Sequence, residues 1–208
     1  MDTSKTLKQY LDELSSNSPT PGGGNVSAFC GSLASGLGEM VCNLTIGKKK
    51  YADFEPEMTV AKKSLEELKE KFILLANRDN EAFDRVMDAF KLPKETEDEK
   101  SARLEKIDEA TFQAAEVPSE VIRTCNEVIP LIQTVVEKGN QNSLSDAGVA
   151  ALLLSAASQG AFLNVLINCS SLKNQTIAGE LLKSAEILCN DVKAQSASIV
   201  DKIIQRLK

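Results

Sequence analysis

Histidine is absent from this chain of 208 residues, and the absence limits the chemistry that the protein can perform. Hydrolases of the Ser-His-Asp and Cys-His types are excluded, and so are most zinc sites, because all of them depend on imidazole. A general acid or base in this chain must therefore be Asp, Glu, Lys, Tyr, Cys or a hydroxyl group.

Cysteine pairs of the Cys-x-x-Cys type are also absent, and the number of cysteines is odd. Most of them lie in apolar runs, where a thiol behaves as a small buried hydrophobe. This usage is typical of a reducing compartment, and it predicts a cytoplasmic protein without disulfides. Without imidazole to lower a thiol pKa, a catalytic cysteine is not expected. The cysteines are Cys30, Cys42, Cys125, Cys169 and Cys189.

Long hydrophobic runs and a basic surface are missing as well. The longest apolar stretch, Val149–Ser158, is far shorter than the roughly 20 residues of a membrane span. The polar start MDTSKTLKQYLDELSSN lacks the plan of a signal peptide. The net charge of −6 disfavours binding to nucleic acid or to an anionic membrane, which both require a basic field. A local group of lysines can still bind a small anion.

Helical periodicity is what the chain has in abundance. Its length and its 42% of hydrophobic residues predict one domain, residues 1–208. The helical spacing, without any alternation of strands and helices, predicts that this domain is all-α, with about six to eight helices, several of them long and amphipathic. The predicted segments are Leu7–Leu14, a buried helix over Asn25–Gly47, Glu55–Phe90, a solvated helix over Thr96–Ala115, a helix from Val117-Pro118 to Lys138 that Pro130 kinks or divides, the apolar Ser143–Leu172, and Asn174–Leu207.

A glycine-rich segment, Pro-Gly-Gly-Gly-Asn, leads into the buried helix at residues 21–25. Glycines let backbone N–H groups approach a ligand, and a helix N-terminus adds partial positive charge. A flexible loop ahead of a helix capped by Asn25 explains the same pattern. The small residues that follow indicate a contact between helices or subunits more readily than a ligand groove.

Three further segments carry groups suited to chemistry. Lys48–Lys50 concentrates positive charge, although cations also complement a helix C-terminus. Asp79 shares a helix face with Phe83, so its carboxyl can be desolvated and its pKa raised, although a solvated charged face explains the same segment. The segment GNQNSLSDA over 139–147 combines amides, hydroxyls and a carboxylate at a helix start, where Ser143 or Ser145 can also act as a simple cap.

Taken in order, these segments resemble one family. The matching pieces are SPTPGGGNVSA, NLTIGKKKY, RDNEAFDRVMDAFKLPK, EVPSEV and GNQNSLSDAGVAALLLSAASQGAFLNVLIN. Together they resemble the formimidoyltetrahydrofolate cyclodeaminase and methenyltetrahydrofolate cyclohydrolase family over essentially the whole chain. One departure is that the family commonly has Ser where Asn25 stands, so this chain has an amide in place of that hydroxyl.

The resemblance implies an all-helical tight homodimer that acts on a one-carbon tetrahydrofolate without a metal or a tightly bound cofactor. Release of ammonia from 5-formimidoyltetrahydrofolate is expected, with hydrolysis of 5,10-methenyltetrahydrofolate as the alternative and a non-catalytic helical scaffold as a more distant one. We expect Asp146 and Asp79 to be catalytic carboxylates and Lys49 to be an acid. The residues expected to bind substrate are Pro21, Gly22, Gly23, Gly24, Asn25, Lys48, Lys50, Asn140, Asn142 and Ser145.

Overall fold

The computed structural model describes residues 5–208, so the first four residues of the predicted domain lie outside it. This described part of the chain contains six α-helices and no strand, which confirms the predicted fold class. Two short 3-10 helices, Lys49–Phe54 and Gln141–Ser143, precede the third and fifth α-helices. The α-helices are α1 Leu7–Leu14, α2 Gly23–Asn43, α3 Glu55–Phe90, α4 Glu97–Lys138, α5 Leu144–Cys169 and α6 Gln175–Leu207.

Helix α4 is continuous, so the predicted separation into two helices at Val117-Pro118 is wrong, and Pro130 does not divide the helix either. A proline inside a helix lacks the N–H that would bond to the carbonyl four residues earlier. For Pro118 that carbonyl belongs to Ala114, and it accepts a hydrogen bond of 2.8 Å from Nδ2 of Asn168 on α5. The side chain supplies the missing donor, and the helix continues.

Helix α2 is central to the packing, and its small residues allow close contact with its neighbours. A Cβ atom placed on Gly31 would lie 2.4 Å from the ring of Phe72 on α3. A Cβ atom on Gly38 would lie 2.6 Å from Ile132 on α4. The predicted role of these small residues in contacts between helices is therefore confirmed.

Helix α5 is the most apolar element. Its most apolar window of 18 residues, within Gln141–Cys169, has a mean hydropathy of 1.7, so the helix is long and apolar enough to cross a membrane by length and composition alone. Core helices of other proteins have the same properties, and α5 packs against α2, α4 and α6. Only 39% of its most apolar window is buried, because one face of the helix, including Leu152 and Leu163, is exposed.

All five cysteines are free thiols, as predicted. Cys30 is partly buried, and the other four are buried. Burial raises the pKa of the Cys42 thiol to about 11, and it also raises the pKa of Cys189. Thiols that remain protonated near neutral pH are poor nucleophiles, so the fold agrees with a structural role for these cysteines.

Candidate active site

The three glycines at residues 22–24 line a cavity of about 330 Å³, whereas Pro21 lines a neighbouring pocket with Asn25. The first turn of α2 contributes glycines, α3 contributes Asp79 and Phe83, and α5 contributes Asn164. The cavity therefore combines a helix N-terminus, a carboxyl group, an aromatic ring and an amide. A pocket of this size, apolar with a few convergent polar groups, is suited to a polar heterocycle.

The carboxyl group of Asp79 lies directly against the first turn of α2. The helix begins after Gly22, which has no side chain to cap it, so the predicted cap at Asn25 is wrong. Instead the backbone N–H of Asn25 donates a hydrogen bond to the Asp79 carboxylate. A Cβ atom at Gly24 would lie 2.1 Å from Oδ1 of Asp79, so only glycine permits this approach.

Asp79 is a suitable acid or base near neutral pH. Burial raises its pKa from the ordinary value of 3.8 to about 6, although the hydrogen bond from the backbone of Asn25 acts in the opposite direction. The partial positive charge of the α2 N-terminus also favours the ionised form. The prediction that the Asp79 carboxyl group is desolvated, with a raised pKa, is thus confirmed.

The raised pKa of Asp79 predicts a specific dependence of stability on pH. Because its pKa is higher in the folded protein than in the unfolded chain, the proton-linked stability is complete below about pH 4 and is lost as the pH rises through about 6. We expect Asp79→Asn to remove this loss and to be more stable than the wild type at about pH 8. The upper bound is about 3 kcal/mol, which partial exposure of the carboxyl reduces.

Urea unfolding of both proteins at about pH 4 and about pH 8 measures this effect. A wild-type protein and an Asp79→Asn variant with the same change in the free energy of unfolding between the two pH values would contradict the assignment.

Asn25 is fully buried, and its side chain connects three helices. Its Oδ1 accepts a hydrogen bond of 2.9 Å from the hydroxyl of Tyr10 on α1. Its Nδ2 donates to the carbonyl of Ala76 at 2.8 Å and to Oδ1 of Asn80 at 3.2 Å, both on α3. These bonds fix the start of α2 in position. Contact between this side chain and a ligand remains a prediction.

A second group of predicted residues lies where α2 ends and α5 begins. The backbone N–H of Asn140 donates to Oγ1 of Thr45 at 2.8 Å, and its Nδ2 donates to the carbonyl of Leu44 at 3.2 Å. Oδ1 of Asn140 accepts from the backbone N–H of Asn142 at 3.2 Å, which caps the short 3-10 helix. The side chain of Asn140 therefore caps the 3-10 helix, whereas Ser143 stands at the N-cap position of α5 and makes no side-chain cap bond.

Tyr51 joins this second group. Its hydroxyl accepts a hydrogen bond of 3.1 Å from the backbone N–H of Gln141 and lies 3.4 Å from Oδ1 of Asn140. The ammonium of Lys50 lies 5.2 Å from the centre of the Tyr51 ring. The bond from Gln141 and the nearby lysines lower the pKa of the Tyr51 hydroxyl. A phenol and three exposed lysines thus form a polar, positively charged end.

The structure divides the predicted site residues into two groups. Helix α2 separates them, and Leu44 follows Gly24 by 20 residues, which corresponds to about 30 Å at 1.5 Å per residue. The two groups therefore do not form one site within a single chain. The first end holds Pro21, Gly22, Gly23, Gly24, Asn25 and Asp79, and the second end holds Lys48, Lys49, Lys50, Asn140, Asn142, Ser145 and Asp146.

Sequence reasoning missed three residues of these two groups. Asn164 and Asn168 lie four residues apart on α5 and line the cavity beside Asp79. Two amide side chains at helical spacing in the most apolar helix could have been recognised from the sequence as candidate site residues. The position of Tyr51 could not be predicted from the sequence, because it depends on a hydrogen bond from Gln141, 90 residues further along the chain.

Other surfaces carry less chemistry. A groove of about 460 Å³ between α3 and α4 is larger, but it is lined mainly by apolar groups such as Val60 and Leu131. Its charged residues, Glu57 and Lys138, form an ion pair with each other. Within residues 5–208, no cluster of three or more Cys, Asp and Glu side chains has the arrangement of a metal site.

Residues 6–187 match the family described as formiminotransferase-cyclodeaminase. The chain is 43% identical over 203 residues to a methenyltetrahydrofolate cyclohydrolase of Methylorubrum extorquens, with 98% of each chain covered. A crystal structure of formiminotetrahydrofolate cyclodeaminase from Thermotoga maritima matches with a TM-score of 0.83 and 34% identity, over 96% of this chain and 98% of that one.

A longer relative matches over part of its length. The formimidoyltransferase-cyclodeaminase of Sus scrofa is 29% identical over 202 residues, which are 97% of this chain. They are 37% of the pig protein, so the present chain corresponds to only a little more than a third of it.

Proposed function

Because this chain belongs to the formiminotransferase-cyclodeaminase family, we propose that it is a methenyltetrahydrofolate cyclohydrolase, which converts 5,10-methenyl- to 10-formyltetrahydrofolate. The observation that carries the proposal is the carboxyl group of Asp79, held against the start of α2 in a cavity, with a pKa of about 6. The relative at 43% identity, a cyclohydrolase aligned over nearly the full length of both chains, supports the choice of reaction.

The proposed chemistry requires one base and no metal. In methenyltetrahydrofolate the carbon between N5 and N10 belongs to a cationic amidinium group, which water can attack directly. Asp79 takes a proton from the attacking water, and a neutral tetrahedral intermediate forms. The C–N5 bond then breaks as N5 receives a proton and the hydroxyl loses one, which leaves the formyl group on N10. The Asp79 carboxylate also stabilises the cation before the attack.

Cyclodeamination is the second candidate, and the Thermotoga maritima structure favours it. In this reaction N10 attacks the formimidoyl carbon on N5, and ammonia leaves from the tetrahedral intermediate. The same carboxyl group can move the protons in both reactions, since both pass through a tetrahedral centre on the same carbon. The two reactions differ in the nucleophile, which is water or N10, and in the leaving group, which is N5 or ammonia.

One assay separates these functions. Purified protein is mixed with methenyltetrahydrofolate or with 5-formimidoyltetrahydrofolate while the near-ultraviolet absorbance of the methenyl group is followed. Faster loss of methenyltetrahydrofolate than in buffer supports the cyclohydrolase. Formation of the methenyl absorbance with release of ammonia supports the cyclodeaminase. No reaction and no folate binding would refute both and would favour the helical scaffold.

We also propose that the protein is a homodimer that associates through one face of α2 and α5. Both helices pack on α4, so their faces directed away from α4 lie on the same side. Exposed apolar side chains recur along both helices at spacings of three, four, seven or eleven residues, which place them on one face of each helix. Exposed apolar surface of this kind is typical of a protein interface. We call this surface the α2–α5 strip; it comprises Leu33, Met40, Leu44, Val149, Leu152, Leu163 and Leu166.

Leu152→Glu is expected to dissociate the homodimer. The side chain is 55% exposed in the isolated chain, so the substitution leaves the core of the subunit intact. In the dimer it would bury an unpaired charge, which weakens association severely. Sedimentation velocity measures the change from dimer to monomer, and circular dichroism checks that the helices remain. The control is Ile187→Glu, which is 59% exposed on α6. A dimeric Leu152→Glu variant would refute this interface.

A further inference from the structure

Two polar groups lie at opposite ends of the same apolar strip. At one end Ile167 and Asn164 of α5 line the Asp79 cavity. At the other end Leu44 belongs to the strip, and its carbonyl accepts a hydrogen bond from Asn140. The strip therefore runs from the end of the subunit that holds Asp79 to the end that holds Lys48–Lys50, which we call the lysine end.

The parts of α2 and α5 that form the strip have nearly the same length. From Gly24 to Leu44 along α2, and from Ser145 to Asn164 along α5, the distance is about 30 Å. The helices run antiparallel, since a Cβ atom on Gly160 would lie 2.5 Å from Oγ of Ser27. A twofold axis perpendicular to the strip at its middle would thus place each end of one subunit over the opposite end of its partner.

Charge decides between the two ways of pairing across the strip. A parallel arrangement brings two Lys48–Lys50 segments together, and their like charges repel. The antiparallel arrangement brings Lys48–Lys50 next to the end that carries Asp79, whose cavity is lined by this carboxyl group and by no lysine or arginine. Opposite charges then meet, and electrostatic complementarity fixes the orientation of the pair.

From this placement, and resting on the proposed function, we propose that two subunits pair antiparallel across the α2–α5 strip and that the Lys48–Lys50 segment of the partner subunit completes each Asp79 cavity. The folate substrate carries carboxylates on its glutamate, and the partner's lysines supply the positive charge that the cavity itself lacks. Asp79 acts on the one-carbon group. At the lysine end the hydroxyl of Tyr51 accepts from the backbone N–H of Gln141 and donates to Oδ1 of Asn140.

Heterodimers with one altered chain of each kind test the proposal. One chain carries Asp79→Asn, the other carries Lys49→Ala and Lys50→Ala, and two affinity tags isolate the mixed dimer after coexpression. Both lysines are exposed, so their removal does not disturb the core. Each altered homodimer is expected to lose at least tenfold in kcat/KM. The mixed dimer has one intact composite site and should recover about half of the wild-type activity.

The matched control places all three substitutions on one chain and pairs it with a wild-type chain. A composite site predicts almost no activity, because each cavity then contains one altered half. Sites contained within single chains predict the reverse in both experiments: half of the activity for this control and none for the first mixed dimer.

Three other results would overturn the proposal while leaving the proposed function intact. They are an active wild-type monomer, a lysine variant with unchanged kcat/KM, and a first mixed dimer no more active than the mean of the two altered homodimers. A wild-type protein that acts on neither folate would instead refute the proposed function, and the composite site with it.

Discussion

Replacement of Asp79 by asparagine is expected to lower kcat/KM for the folate substrate by about 10²- to 10⁴-fold, the usual contribution of a general acid or base. Asparagine keeps an oxygen that can accept the N–H of Asn25, so the start of α2 stays in place. What it loses is the ability to take a proton from water and to neutralise the cationic substrate. Steady-state kinetics on purified variants measure the change.

The pH profile makes this expectation more specific. Since the pKa of Asp79 is about 6 and its ionised form is the base, kcat/KM of the wild type should fall as the pH decreases below about 6. The residual activity of Asp79→Asn should lack this fall. The control is Asp88→Asn, also on α3, where the carboxylate forms only an exposed ion pair with Lys91. An Asp79→Asn variant with wild-type kcat/KM would exclude the proposed role.

Gly24→Ala is expected to lower kcat/KM by about 10²-fold, although it adds only one methyl group. The new Cβ atom would lie 2.1 Å from Oδ1 of Asp79, so the carboxyl group must move away from the start of α2. Displacement of a reacting group by about 1 Å is sufficient for a loss of this size. Kinetics measure the loss, and thermal unfolding shows whether the fold persists.

Gly179→Ala is the matched control for this substitution. Gly179 lies in α6, and a Cβ atom there meets nothing within 4 Å. Alanine is favoured over glycine in a helix by about 1 kcal/mol, so the control should be slightly more stable and fully active. A folded Gly24→Ala variant with the activity of the control would show that contact between Gly24 and Asp79 is not needed for catalysis.

Much of the helical architecture could be predicted from local pattern. The spacing of apolar residues predicted α1 and α3 with the bounds that the structure has, and α6 to within a residue. The failure at Pro118 has a physical cause: the rule that proline ends a helix assumes that the freed carbonyl finds no other donor. Here Asn168 provides that donor from another helix, which no local window of sequence contains.

The candidate site could be predicted in its components but not in its arrangement. The Pro-Gly-Gly-Gly segment and Asp79 were recognisable by residue type and spacing, and the structure brings them together. Asp146 and the Asn140 segment were equally recognisable, yet they lie at the other end of α2. Spacing along the chain does not give distance in space. The two segments lie far apart because they are at opposite ends of α2, which is about 30 Å long.

The sequence by itself determined the chemical inventory and the helices of this protein. Without histidine, the possible acids and bases are carboxyl, phenol, thiol and amine groups. Apolar residues that recur every three to four positions specify helices through local contacts. Only the tertiary structure decided which groups meet. Burial of Asp79 against Gly24, and the bond from Gln141 to Tyr51, join residues that are distant in the chain. Desolvation and backbone donors set pKa values, and both depend on packing between helices.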